Sequence, residues 1–270
     1  MNETLWSSAL SDPAGLRARG FFLAEGRLVL ERILGGAAGG EAAIVAVLST
    51  PAAAQALDLD ARVGDRLVVR SPSEMAALTG FNFHRGVLAL VRRPAMLDVS
   101  DVVAAAATRR ATGDSLVPVL VAAEHLVDVD NVGSCFRNAR AFDAAGLLFD
   151  DRCPDPLYRK AVRTSLGAVL EVPWAQSPFG DVMDALAAAG VATVGLTPHA
   201  TAAPIAEIAA ELAPIGPAAL VVGNEGEGLS AATLSRCTRL ARIPMAGGAD
   251  SLNVATALAV ALYEWRVHRH

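Results

Sequence analysis

The chain has 270 residues, a length that fits two domains, each able to bury its own core. It is 53% hydrophobic and 19% charged, with 23 glycines and 14 prolines, which excludes disordered and fibrous classes. The net charge of −5 argues against a protein that coats nucleic acid by general attraction, although residues 1–113 hold 12 Arg and 11 acids (net +1) and residues 114–270 hold 11 basic and 17 acidic residues (net −6).

Any phosphate contact must therefore come from local patches. Those patches are guanidinium, because Lys160 is the single lysine. Cys135, Cys153 and Cys237 are widely spaced without a CxxC pair, which speaks against a disulfide framework and a zinc site and for a reduced, cytoplasmic setting. Residues 1–10 lack the basic start and apolar run of a signal peptide. The most apolar helix-like stretch, residues 254–262, is shorter than the roughly 20 residues that span a bilayer, so a soluble protein with no membrane partner is expected.

In chain order, residues 16–34 read as a helix with Leu23, Leu30 and Leu34 on one face, ended by Gly35, Gly36, Gly39 and Gly40. Short apolar runs at 43–48, 66–69 and 87–91 read as strands, with helical patterns at 51–57 and 73–78 between them: a small α/β domain. Residues 92–114, with Pro94, an alanine run and Arg109-Arg110, read as a connector. From Val117 onward, apolar strands alternate with helices. The expected pieces are 117–123, 132–145, 146–149, 157–166, 169–172, 182–189, 191–196, 205–212, 218–223, a helix through Leu234, 240–243 and a last helix over 252–265. Continuous apolar strands between helices predict a parallel sheet covered on both faces. Ligands of such sheets sit beyond the carboxyl ends of the strands, here the turns after Ala123, Leu196, Gly223 and Ile243.

Three clusters fall at such places. In the first, Asn131-Val-Gly133-Ser-Cys135-Phe-Arg137-Asn138-Ala139, Asp130 or Asn131 can cap the helix, yet capping does not explain why Asn131, Arg137 and Arg140 crowd it. The second, Gly223-Asn224-Glu225-Gly226-Glu227-Gly228-Leu229-Ser230, is neither a phosphate-cradling GxxxxGK[ST] loop nor a GxGxxG fingerprint, so a nicotinamide-dependent oxidoreductase ranks last. The third, Ile243-Pro244-Met245 through Gly247-Gly248 to Ser251-Leu252-Asn253-Val254, offers Ser251 as a helix cap, or free backbone groups for an adenine edge.

In this order and spacing the clusters resemble the three motifs of the SpoU/TrmH-type RNA 2′-O-ribose methyltransferases of the SPOUT superfamily, N-x-G-x-x-x-R-x-A, G-x-E-x-x-G, and I-P-M followed by S-L-N-V. The segment from Asp155 to Gly167 extends the likeness over residues 117–270. Residues 20–26 and 78–87 resemble the ribosomal-protein-like substrate-binding domain that precedes many such enzymes.

The resemblance implies a knotted α/β methyltransferase domain over 113–270 behind an RNA-binding domain with connector over 1–112. It further implies S-adenosyl-L-methionine as cofactor, RNA as partner (ribosomal ahead of transfer), and a homodimer with active sites near the subunit interface, to which a final helix apolar almost all round agrees. The family's catalytic positions fall on Arg137, Asn131, Glu225, Ser251 and Asn253, and its cofactor contacts on Gly223, Ile243, Leu252, Met245, Asn224, Leu196 and Thr197. Arginine is effectively always protonated, so Arg137 is expected to clamp the adjacent phosphate and orient the 2′-hydroxyl, with phosphate or water taking the proton.

RNA affinity is expected from Arg85, Arg92, Arg93, Arg109 and Arg110 and from a patch at Arg137, Arg140, Arg159, Lys160 and Arg163. Cys135 reads as a core residue, not a nucleophile. His84, His125, His199, His268 and His270 show no ligand spacing, and Asp150, Asp151 and Asp155 read as a solvated loop, not a metal site. The rival reading is a noncatalytic RNA-binding or ribosome-assembly protein that keeps the fold; a base-directed methyltransferase is the sister alternative.

Overall fold

The structure, a computed structural model, describes residue 6 and residues 9–79, 86–111, 117–246 and 251–268, with backbone alone at 107–111. Arg85, His84, His270, Asp114, Gly247 and Gly248, and the side chains of Arg109 and Arg110, lie outside that description. The chain divides into two compact units, Met1–Ala95 with Asp155–Glu171, and Met96–Pro154 with Val172–His270.

The first unit carries a sheet of β1 (Phe21–Glu25), β2 (Ile44–Ser49), β3 (Leu67–Val69) and β4 (Val87–Arg92) in the order β1-β4-β2-β3. β4 is antiparallel to β1 and β2, and β3 is parallel to β2. Trp6, Leu23, Leu48, Met75, Leu88 and Leu90 form its core. The single helix expected over 16–34 is instead helix Pro13–Ala18, strand β1 and helix Arg27–Leu34. Gly20 (φ +78°) and Gly26 (φ +101°) adopt conformations that L side chains rarely take, and they cut the chain on either side of Phe21–Glu25.

Segment Asp155–Glu171 is held within this unit by ion pairs. Arg93 grips Asp155 bidentately at 2.8 and 2.7 Å. Glu25, 3% exposed, accepts from Arg159 at 2.8 Å and pairs with Arg163 at 3.5 Å, while Arg32 pairs with Glu171. A buried carboxylate needs such partners. Arg93, Arg159 and Arg163 of the expected RNA patch are thus engaged in protein ion pairs; Arg92 is exposed.

The second unit is built on β5 (Val119–Ala123), β6 (Gly146–Asp150), β7 (Trp174–Ser177), β8 (Ala192–Leu196), β9 (Ala203–Pro204), β10 (Ala218–Val222) and β11 (Arg239–Arg242), ordered β7-β6-β5-β10-β8-β11-β9. Every pairing is parallel. Residues of β5, β6 and β10 are buried throughout, as strands covered on both faces must be. Leu120, Ala122, Leu148, Ala219 and Val221 join one core cluster with Val102, Phe179 and Leu186, from helices Val99–Ala111 and Phe179–Ala188. Helices Val129–Ala141 and Val254–Val267 pack on each other, and the latter on β10.

The expected connector over 92–114 is therefore largely a core helix of the second unit: Val102, Val103 and Ala106 are buried. The expected strand at 169–172 is a 3-10 turn, Ala168–Leu170, and the chain reaches the sheet at Trp174–Ser177. On the last helix Val254, Leu258, Ala261, Leu262 and Trp265 are buried, whereas Tyr263 (55%) and Val267 (51%) face outward. Among the described residues no helix is long and apolar enough to cross a membrane.

Candidate active site

β5, β10, β8 and β11 are neighbours in the sheet, so the turns at their carboxyl ends converge. A cavity of about 380 Å³ lies there, within the range of small-molecule sites. Leu196 and Thr197 line it from the β8 turn, Gly223, Asn224 and Glu225 from the β10 turn, Ile243 and Met245 from the β11 turn, and Ser251, Leu252 and Asn253 from the approach to the last helix. The structure thus gathers the expected cofactor residues, with Glu225, Ser251 and Asn253, on one cavity. Asn131 and Arg137 are absent from its lining.

The β10 turn is a closed loop. Asn224 and Gly228 exchange backbone hydrogen bonds at 3.0 and 2.9 Å, the Asn224 Oδ1 accepts from Gly226 N and Glu227 N at 2.8 and 3.1 Å, and its Nδ2 donates to the His125 carbonyl at 2.9 Å. The side-chain amide of Asn224 is therefore engaged within the protein. Only glycine fits at 223: a Cβ there would stand 2.3 Å from the carbonyl carbon and oxygen of Gly228 and 2.4 Å from the Leu229 nitrogen.

Asn131, 7% exposed, joins the three motifs. Its Nδ2 donates to Glu225 Oε1 at 2.8 Å, and its Oδ1 accepts from Asn253 Nδ2 at 2.9 Å. The Glu225 carboxylate also accepts from the Val127 and Asp128 amides at 3.0 and 3.1 Å. Partial burial raises its pKa, but the hydrogen bonds from Asn131, Asp128 and Val127 outweigh that and leave it below the ordinary carboxylate value. An acid so stabilised as its anion is a weak base. Glu225 and Asn131 therefore hold loops in place.

Capping differs from expectation. Asp128, not Asp130 or Asn131, caps helix Val129–Ala141 by accepting from Asp130 N at 2.9 Å. Asn253, not Ser251, caps the last helix, accepting from Ala255 N and Thr256 N at 3.0 and 3.2 Å. In both, the residue bonding the first-turn amides sits beside the first helical residue, where its side chain can reach them. Asn138 Nδ2 then donates to the Ala255 carbonyl at 2.7 Å, pinning the two helices together.

Arg137 is exposed, with no hydrogen bond or ion pair to the described residues, so its guanidinium is available to a ligand. Cys135 is fully buried and its thiol is pushed up to about 12 by that burial, as a core residue should be. Asp150 is not a solvated residue: it is 1% exposed and pairs with Arg152, and Asp155 is clamped by Arg93. Among the described residues no cluster of His, Cys, Asp and Glu could hold a metal ion.

Sequence reasoning gave no site role to His199, Glu227 and Leu229, which line the cavity wall, and did not single out the buried Glu124. The signal for Glu124 was a lone acid directly after an apolar strand.

Residues 118–263 match the SpoU rRNA Methylase family. The chain is 39% identical over 244 residues to an uncharacterized tRNA/rRNA methyltransferase of Mycobacterium bovis, covering 90% of this chain and 79% of that protein. It is 30% identical over 215 residues to the 23S rRNA (guanosine-2′-O-)-methyltransferase RlmB of a Burkholderia species, covering 77% and 80%. An AdoMet-bound rRNA methyltransferase from Sinorhizobium meliloti superposes with a TM-score of 0.78 at 26% identity, covering 98% of this chain and 94% of that one. On its motifs, its parallel-sheet fold and these matches, the chain belongs to the SpoU rRNA methylase family.

Proposed function

We propose that this chain transfers a methyl group from S-adenosyl-L-methionine to a ribose 2′-hydroxyl of structured RNA, ribosomal ahead of transfer RNA. The observation that carries the reading is the Asn253–Asn131–Glu225 hydrogen-bond chain, which knits the three motifs around one cavity.

The cavity suits that donor on its own chemistry. Its walls are mostly apolar side chains and loop backbone, a fit for an adenine ring. Among the described residues its lining includes Glu225 and Glu227 but no Arg or Lys, which favours a sulfonium cation and disfavours a dinucleotide's phosphates. When bound, the donor supplies a methyl group already activated by its positive sulfur. The chain's own residues have then to align a poor nucleophile and let its proton leave.

Arg137, permanently cationic, holds the neighbouring phosphate and orients the hydroxyl, and the proton passes to phosphate or water. Gly223, Asn224, Leu196, Thr197, Ile243, Met245 and Leu252 form the donor's walls. Asn131, Glu225 and Asn253 fix those walls, while Ser251 stands exposed at the cavity beside the site of transfer. The likeness to the family also carries the knot, the homodimer, the cytoplasmic setting and an RNA-handling role for residues 1–112 as parts of this proposal.

The test is 2′-O-methyl mapping of RNA from cells with and without the gene, complemented by the parent or by Arg137→Ala. One site should vanish without the gene and return only with the parent, while purified Arg137→Ala still binds S-adenosylhomocysteine. An unchanged map together with a chain that binds RNA but no donor would favour the noncatalytic reading.

A further inference from the structure

Loop Gly223–Leu229 forms much of one cavity wall, and a single residue closes both of its ends. The Glu124 backbone amide donates to the Val222 carbonyl at 2.8 Å, where the loop begins. Its carboxylate accepts from Ser230 N at 2.9 Å and Ser230 Oγ at 2.7 Å, where the loop ends, and from Thr233 Oγ1 at 2.9 Å, in the helix that follows. Glu124 is 6% exposed, and a carboxylate so buried persists only with its lone pairs engaged. Three donors from one short segment meet that need. Glu225 holds the same loop from within, against Val127, Asp128 and Asn131.

We propose that Glu124 is a positioning residue for methyl-donor binding, tying the two ends of the cavity loop together from outside the cavity. The assignment rests on the reading of the cavity as the donor site. The close approach of Gly223 to Gly228 leaves the loop one closed conformation, and Glu124 fixes the separation of its ends at which that conformation forms. It lies outside the cavity lining, so it acts through the loop and not on the donor.

Hydrogen exchange on the intact, ligand-free chain tests the anchor directly. In Glu124→Ala the amides of Gly226, Glu227 and Gly228, each bonded within the loop, should exchange at least about tenfold faster, with β5 and β10 unchanged. The dissociation constant for S-adenosylhomocysteine should rise at least about tenfold, with the RNA Michaelis constant within about twofold of the parent. Glu124→Gln should restore both to within about threefold, because its oxygen can accept from Ser230 N while its amide donates to the two hydroxyls.

Ser230→Ala deletes one of the three bonds to Glu124, together with the Ser230 cap on Thr233 N, and keeps the fold within reach if the alanine variant at 124 is unstable; it should weaken binding by about two- to fivefold. Loop exchange and product affinity both within twofold of the parent in these variants would overturn the proposal, whatever happens to melting temperature. A parent that binds no S-adenosylhomocysteine would instead sink the donor-site reading, while the ligand-free exchange data still decide whether Glu124 anchors the loop.

Discussion

Asn131→Asp is nearly isosteric, yet it reverses the one contact that joins the first motif to the second. The Asn131 Nδ2 lies 2.8 Å from Glu225 Oε1, so the substitution sets two carboxylates at that distance, while Oδ1 still accepts from Asn253. Two unit charges 2.8 Å apart repel by about 1.5 kcal/mol at the dielectric of water and about 6 kcal/mol at an effective value of 20. Glu225 is partly solvated, which favours the lower half of that range. The pair should respond by holding a proton, its titration moved up by the mutual repulsion of the two carboxylates.

A folded-state pKa raised above the unfolded value adds stability at low pH that is lost as pH rises through the raised value. Asn131→Asp should therefore match the parent most closely near about pH 5 and fall behind by about 1.5–3 kcal/mol at about pH 8. Asn131→Ala loses the two hydrogen bonds, a cost of about 1–3 kcal/mol with no added dependence in that window. Urea unfolding of the three proteins at both pH values reads the difference. Parallel pH profiles for the aspartate and alanine variants would refute an Asn131–Glu225 contact.

In the parent, Glu225 behaves oppositely: its lowered pKa adds stability present above the ordinary carboxylate value and lost as pH falls toward the depressed one, so the gap between parent and Glu225→Gln should narrow on acidification, as unfolding curves will show. Gly223→Ala drives a methyl group onto the backbone of Gly228, which should destabilise by about 1–3 kcal/mol or more and abolish S-adenosylhomocysteine binding by calorimetry; preserved affinity would refute the closed loop. A fragment of residues 113–270 lacks Val102 and Val103, both buried, and should be about 3–6 kcal/mol less stable than a fragment of residues 96–270, visible in protease resistance.

The alternation of apolar strands and helices from Val117 onward announced a parallel sheet, because strands buried on both faces are apolar throughout and helices must cover them. Helix Ile205–Leu212 agrees with its expected span residue for residue. Where expectation failed, a local pattern gave way to a distant partner. Residues 21–25 are apolar enough for a helix, yet they form a strand because β4, more than sixty residues on, supplies the hydrogen bonds. Residues 99–111 look like a connector rich in alanine until the second unit buries Val102 and Ala106.

By itself the sequence determined the fold class, the turns where ligands gather and the residue types in them, since periodicity, turn chemistry and spacing are local properties. Only the tertiary structure decided which of those residues meet. Asn131 meets Glu225 and Asn253 across 94 and 122 positions, and Glu124 meets Ser230 across 106. A hydrogen bond is specific to a few tenths of an ångström, and nothing in one stretch of chain states which distant loop will arrive at that distance. Glu225 and Asn131, which the motifs group with the reacting residues, also bond to each other and to distant loops, whereas no distant partner reaches the exposed Arg137 among the described residues.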